Sequence, residues 1–251
     1  MTGKENGPVL SKESFDAVLF DLDGVITATA SVHSAAWKKL FDEYLRQAAD
    51  RGGPPFRPFD DEDYRLYVDG MPRYEGVDSF LKSRGIALPF GEIEDPPDKE
   101  TACGLGNKKN KYFNDVLKTQ GADVFESSVQ LVHDLIARGI RVAVVSSSKN
   151  CESILKAAGI AELFELRLDG VVAERDKIAG KPKPDTYLEA ARRLGVEAGR
   201  AVVVEDAISG VQAGRAGKFG LVVGVDRNDE AEELSANGAD IVVKDLGELM
   251  L

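Results

Sequence analysis

AVLFDLDGVIT, residues 17–27, passes from four apolar residues into two aspartates one residue apart, then glycine. A buried strand running into a turn reads this way, and aspartate suits turns, so Asp21 and Asp23 are either turn formers or a reaction centre. The rest of the chain has to decide. Outward from this stretch, RVAVVSS (141–147), AVVVED (201–206), LVVGV (221–225) and DIVV (240–243) repeat the same nearly continuous, β-branched character. Runs of this kind mark strands covered on both faces, as in a parallel sheet. Helical patterns separate them. In SSVQLVHDLIARG, Val129, Val132, Leu135 and Ile136 are expected on one buried face, with Gly139 as the C-terminal stop. PDTYLEAARRLG and ISGVQAGRAG behave similarly. Strands alternating with helices predict an α/β fold whose core is a doubly wound, Rossmann-like parallel sheet.

One interval interrupts the rhythm. More than a hundred residues after the first strand carry no comparable β-branched run, only helical stretches such as SVHSAAWKKLFDEYL, GVDSFLKSRG and NKKNKYFNDVLK. RGGPPFRPFDDED and LPFGEIEDPPD separate these. The reading is a helical cap domain over residues 34–120, inserted after the first strand into a core formed by 15–33 and 121–251. Residues 1–14 are polar and read as a disordered or loosely held tail.

Composition narrows the function classes. The chain has 251 residues and a formal net charge of -11, which repels nucleic acid and anionic lipid surfaces. A site for an anionic ligand must therefore be built locally, from clustered cations, a metal ion or helix N-termini. Two cysteines form neither a disulfide framework nor a metal-ligand spacing, and no apolar run approaches membrane-spanning length. The expectation is a cytoplasmic monomer acting on a small molecule, with no nucleic-acid or membrane partner.

Ligands of open parallel sheets sit beyond the C-terminal strand ends. Four segments at or near such ends carry suitable groups: Asp21 and Asp23; Ser146, Ser147, Ser148, Lys149 and Asn150 in SSSKN; Lys181 in GKPKPD; and Glu205 with Asp206. Four carboxylates facing one cleft repel one another unless a cation lies between them, and hard oxygen ligands suit Mg²⁺. A carboxylate beside such a cation can attack phosphorus, while a lysine, a hydroxyl and backbone N–H groups stabilise the transferring phosphoryl group. A second carboxylate two residues on can serve as acid and base.

FDLDGVIT, SSSKN, GKPKPD and VVEDAISGVQAG resemble, in order, the four motifs of the haloacid dehalogenase-like phosphotransferases. The resemblance implies that Asp21 is phosphorylated and Asp23 is the acid/base. It also implies that Mg²⁺ is held by Asp21, the Asp23 carbonyl and Asp206 with support from Glu205, and that Ser146 and Lys181 grip the phosphate. DGVITATASVHSAAWK, DGMPR and NKKN are similar to stretches of the β-phosphoglucomutase-like subfamily. That likeness implies substrate contacts at Thr29, His33, Trp37, Gly70, Arg73, Lys108 and Ser147, with Ser148, Lys149 and Asn150 completing a distal phosphate site. It implies a phosphosugar mutase interconverting β-glucose 1-phosphate and glucose 6-phosphate through a bound bisphosphate. The alternatives are a sugar-phosphate phosphatase and, more remotely, a non-catalytic sensor. The sequence departs at Ala28, where the subfamily stretch commonly has aspartate, and in a lengthened cap. His133, mid-helix, is assigned no function, and the acidic run DDED (60–63) is read as solvated surface.

Overall fold

The computed structural model describes residues 10–250. Its contacts divide into two units, one of Met1–Ala28 with Asp123–Leu251 and one of Thr29–Ala122. The inserted unit thus begins five residues earlier than the helical pattern implies, and His33 falls within it.

In the first unit the strands are β1 (Ala17–Phe20), β2 (Arg141–Val145), β3 (Leu166–Leu168), β4 (Ala201–Glu205), β5 (Leu221–Val225) and β6 (Ile241–Val243). They form one sheet in the order β3-β2-β1-β4-β5-β6, and every pairing is parallel. β1 lies at the centre, with Phe20 in register with Val144 on one side and Val204 on the other. The chain winds outward from β1 through β2 and β3, then returns to β4 and winds the other way. That reversal beside β1 is the topological switch point where such sheets leave a crevice. β1 and β4 are buried at every position, which is why their sequences are continuous rather than alternating.

The helices in the inserted unit are α1 (Ala30–Asp50), α2 (Asp61–Tyr67), α3 (Arg73–Ser83) and α4 (Ala102–Gln120). Those in the sheet unit are α5 (Glu126–Ala137), α6 (Cys151–Ala157), α7 (Gly170–Arg175), α8 (Asp185–Leu194), α9 (Ile208–Ala216) and α10 (Ala231–Asn237). Around the sheet, Tyr187, Ala190, Ala191 and Leu194 of α8 pack with Leu19, Ala143 and Val203. The α5 face differs from the expected one. Ser128, Leu131, Val132 and Leu135 are buried, whereas Ile136 is 43% exposed. Ser128 fixes this phase by donating its hydroxyl to the Val25 carbonyl at 2.7 Å.

The expected tail is held from Leu10 onward, and residues 1–9 lie outside the described residues. Leu10 is fully buried and its carbonyl accepts from Arg138 at 2.7 Å, while Arg200 pairs with Asp16. In the inserted unit, Trp37, Phe41, Phe59 and Phe80 form an aromatic core. DDED is not plain surface. Asp60 caps α2 in a reciprocal capping box, and Asp63 is buried against Arg84. Asp95, in the lengthened segment, accepts from Thr101 Oγ1 at 2.7 Å and from the Glu92 N–H at 3.1 Å. Thr101 in turn caps α4. No helix among the described residues is long and apolar enough to cross a membrane.

Candidate active site

At the switch point the strand ends deliver their polar residues into one cluster. Asp21 directly follows β1 and is pinned to the neighbouring strand by its N–H, which donates to the Val204 carbonyl at 2.9 Å. Lys181, from the loop preceding α8, reaches back 160 residues to contact Asp21 and approaches the Val145 carbonyl to 3.2 Å. Its ammonium also lies 2.5 Å from Glu205 Oε1. Glu205 is fully buried, and Tyr187 donates its hydroxyl to the same oxygen at 2.7 Å. Carboxylate oxygens of Asp21, Glu205 and Asp206 all lie within 4.8 Å of one another.

Small residues make this crowding possible. A Cβ on Gly24, at φ +86°, would collide with the Asp206 carboxylate, and one on Gly210 would collide with that of Glu205. The left-handed backbone at Gly24 is one that glycine alone adopts freely. Glycine thus lets the turn after β1 close onto Asp206.

The electrostatics follow from burial. Removal from water pushes the Asp21 carboxyl well above the usual carboxylate range. Lys181 opposes this, and Glu205 and Asp23 reinforce it. Burial alone would lower the Lys181 pKa, but Asp21 and Glu205 overcome it and the ammonium stays charged. The Tyr187 hydroxyl is pushed up by burial and by Glu205, so it keeps the proton it donates. The three carboxylates face one lysine, so the cluster is short of positive charge. An all-oxygen donor set of this kind fits a hard divalent cation, with Asp21, Asp206 and Glu205 as the side chains able to hold it.

The remaining expected residues divide by unit. In the sheet unit, Asp23 is half-buried in the turn after β1. Ser146 directly follows β2, is 3% exposed and accepts from the Ser148 N–H at 3.0 Å. Ser148 Oγ accepts from the Asn150 N–H at 3.1 Å, the Ser147 carbonyl lies against Gly170, and Lys149 is ion-paired with Glu174 at 2.5 Å. This is a tight succession of side-chain-closed turns leading into α6.

In the inserted unit, Thr29 precedes α1 and is buried. Gly70 takes φ +67° in the turn before α3. Arg73 opens α3, donates from Nη2 to Asn110 Oδ1 at 2.9 Å and packs beside Gly106 of α4.

Two expectations change. Trp37 is 4% exposed, stacks on Phe41 at 5.3 Å and lies beneath Lys109 at 4.8 Å, so its ring packs the inserted unit rather than lying open to a sugar. Lys108 is drawn to Glu43 at 3.0 Å, while the next residue, Lys109, is buried with Nζ 2.5 Å from His33 Nδ1. One residue of phase on α4 turns the two ammoniums in different directions. The sequence offers Lys108, Lys109 and Lys111 on one basic stretch without ranking them by burial, and it gives no signal for Tyr187. KKNK shows a basic helix but not which lysine turns inward, and nothing in PDTYLEA marks the tyrosine as Glu205's partner. Cys151, at the start of α6, is no activated thiol. It is fully buried, and burial raises its pKa.

Comparison with known proteins agrees with this geometry. The family model for haloacid dehalogenase-like hydrolases matches residues 15–218. A β-phosphoglucomutase of Mycobacterium bovis is 49% identical over 242 residues, covering 95% of this chain and 92% of its own. The Bacillus subtilis β-phosphoglucomutase is 30% identical over 237 residues, covering 94% and 92%. The crystal structure of a Clostridium difficile β-phosphoglucomutase superposes with a TM-score of 0.72 at 26% identity, covering 94% of this chain and 93% of that one. Parallel sheet, switch-point carboxylates and buried lysine stand where the four motifs fall, and the chain belongs to the haloacid dehalogenase-like hydrolase family.

Proposed function

We propose that this protein is a Mg²⁺-dependent phosphosugar mutase that interconverts β-glucose 1-phosphate and glucose 6-phosphate. The observation that carries the reading is the meeting of Asp21, Lys181, Glu205 and Asp206 at the switch point. The sugar class is taken from the β-phosphoglucomutases to which the chain is similar over nearly its whole length.

In the first half-reaction an Asp21 carboxylate oxygen forms a bond to phosphorus as the bond from phosphorus to the sugar oxygen breaks. Asp23 gives that oxygen a proton. With glucose 1,6-bisphosphate as donor this leaves a sugar monophosphate and phospho-Asp21. β-Glucose 1-phosphate then takes the phosphoryl group on its 6-oxygen as the bond from phosphorus to Asp21 breaks, with Asp23 as base accepting the hydroxyl proton. The bisphosphate so formed turns around and returns its 1-phosphoryl group to Asp21, leaving glucose 6-phosphate. Lys181 holds Asp21 in place and offsets the charge that builds on the transferring oxygens. Ser146, whose oxygen already accepts from the Ser148 N–H, has its hydroxyl hydrogen available for the same oxygens. Asp21, Asp206 and Glu205 would hold Mg²⁺, whose positive charge would let the carboxylates stay ionised together. Arg73, aimed by Asn110, is the proposed grip for the phosphate that is not being transferred. The buried cysteines Cys103 and Cys151, neither of them in a disulfide, support a cytoplasmic setting. A monomer is expected, checked by sedimentation as one species near 27.1 kDa.

The test supplies β-glucose 1-phosphate, Mg²⁺ and a trace of glucose 1,6-bisphosphate. The expected product is glucose 6-phosphate without matching free phosphate. Stoichiometric free phosphate would replace the mutase by a phosphatase.

A further inference from the structure

Arg227 follows β5, well outside the four motifs, and turns back to the loop that carries the two aspartates. Its Nε donates to the Gly24 carbonyl at 2.8 Å across 203 residues of sequence, and Nη1 donates to the Lys244 carbonyl at 3.2 Å. The guanidinium lies over the Phe125 ring, 3.6 Å from its centroid. Burial lowers its pKa, and Asp206 and Asp245 oppose that.

The turn it reaches is otherwise tied mainly to itself and to the start of α5. The Ile26 and Thr27 N–H groups both donate to the Leu22 carbonyl at 2.9 Å, Gly24 N–H to the Thr27 carbonyl at 2.7 Å, and Phe125 N–H to the Ile26 carbonyl at 2.9 Å. Because N–H and C=O point oppositely across a trans peptide, the bond from Gly24 N–H aims the Asp23 carbonyl away from Thr27. The following peptide plane hinges on Gly24, the residue with the widest backbone freedom in the turn. An external grip on the Gly24 carbonyl removes that freedom.

We propose that Arg227 is a positioning residue for the phosphoryl-transfer centre, fixing through the Gly24 carbonyl the turn on which Asp21 and Asp23 stand. This rests on the phosphoryl-transfer reading above. Lysine cannot replace it, because a point-charge ammonium neither stacks flat on Phe125 nor spans two carbonyls with a rigid fork.

The test compares Arg227→Ala, Arg227→Lys and Arg227→Met, the last keeping an unbranched stem and losing only the donors. Mg²⁺ affinity is measured calorimetrically without substrate, beside Tm and Asp21 phosphorylation by glucose 1,6-bisphosphate. In the folded variants Mg²⁺ binding weakens about tenfold or more, as for other losses of an outer-sphere partner. Lysine restores little, and added ethylguanidinium restores part of the loss in Arg227→Ala. Should Arg227→Ala not fold, Arg227→Met carries the same readouts. Mg²⁺ affinity within about twofold of wild type, or losses that merely follow the unfolded fraction, would overturn the proposal. A wild-type chain that binds Mg²⁺ yet takes up no phosphate would overturn the reaction reading and leave the Mg²⁺ comparison to judge Arg227.

Discussion

Lys181 in the sheet unit and Lys109 in the inserted unit are 2% and 3% exposed, yet the two are buried by different means. Lys181 sits between the carboxylates of Asp21 and Glu205, with Asp206 close by. Lys109 lies over the faces of Trp37 and Phe113, 4.8 and 5.1 Å from their centroids, with its ammonium against His33. The first environment sets full charges against one another out of water, where any imbalance is expensive. The second places the ammonium over ring quadrupoles, which stabilise a cation more weakly than a carboxylate does. The sheet unit is thus organised around a charge deficit that a metal ion and a phosphoryl group can relieve. The inserted unit is organised around aromatic packing, with polar side chains such as Arg73 aimed from its helices.

The strongest test of this contrast lies in the chemistry. Asp21→Asn is expected to lower turnover by more than about 10⁴-fold and to abolish incorporation of labelled phosphate into the protein. Unchanged labelling would remove Asp21 as acceptor.

Lys181→Met leaves Asp21 and Glu205 buried without their cation. In urea unfolding without Mg²⁺ it should cost about 3–5 kcal/mol, much of it returned by saturating Mg²⁺. A loss that Mg²⁺ does not relieve would mean that lysine and metal answer different charges.

The third expectation is a pH dependence. The raised Asp21 pKa favours the protonated carboxyl in the metal-free fold, so its contribution to stability is complete below the ordinary carboxylate range. That contribution is lost as pH rises through the folded value. Mg²⁺ must displace this proton. Its affinity should therefore climb with pH across the same window, by up to about tenfold per pH unit for one proton. Calorimetry in buffers of different ionisation enthalpy reads the proton release directly, and a flat profile would refute it.

Lys109→Met should have the smallest effect on the fold, about 1 kcal/mol in the same unfolding assay, because the methionine stem can still cover Trp37 and Phe113. A cost as large as that of Lys181→Met would erase the distinction between the two burials.

Several elements were legible for a clear reason. β1, β2, β4 and β5 are buried at nearly every position, so their sequences carry long β-branched runs, and β6, half-buried at one sheet edge, still shows as Ile-Val-Val. β3 has three residues, Leu166–Leu168, at the sheet edge with a half-buried arginine in the middle, which leaves no run to see. On α5 the apolar positions allow two phases, and the hydrogen bond from Ser128 to Val25, 103 residues apart, favours the one that exposes Ile136. The lengthened loop before α4 reads as Pro- and Gly-bearing linker, yet Asp95 makes it a specific cap support through local hydrogen bonds.

At the site, Asp21, Glu205 and Asp206 could be named because strand ends in a parallel sheet must converge on one edge, so order along the chain becomes proximity in space, whereas Lys181, between α7 and α8, was marked by its segment GKPKPD. The sequence by itself determined that edge, its acidity and the presence of a lysine to meet it. Tertiary structure alone decided that Tyr187 would hold Glu205, that Arg227 would reach Gly24, that Lys109 rather than Lys108 would turn inward, and that Trp37 would be spent on packing. Periodicity records which face a residue occupies within its own element. Which distant partner fills that face depends on the packing of separate elements, and no local pattern carries it.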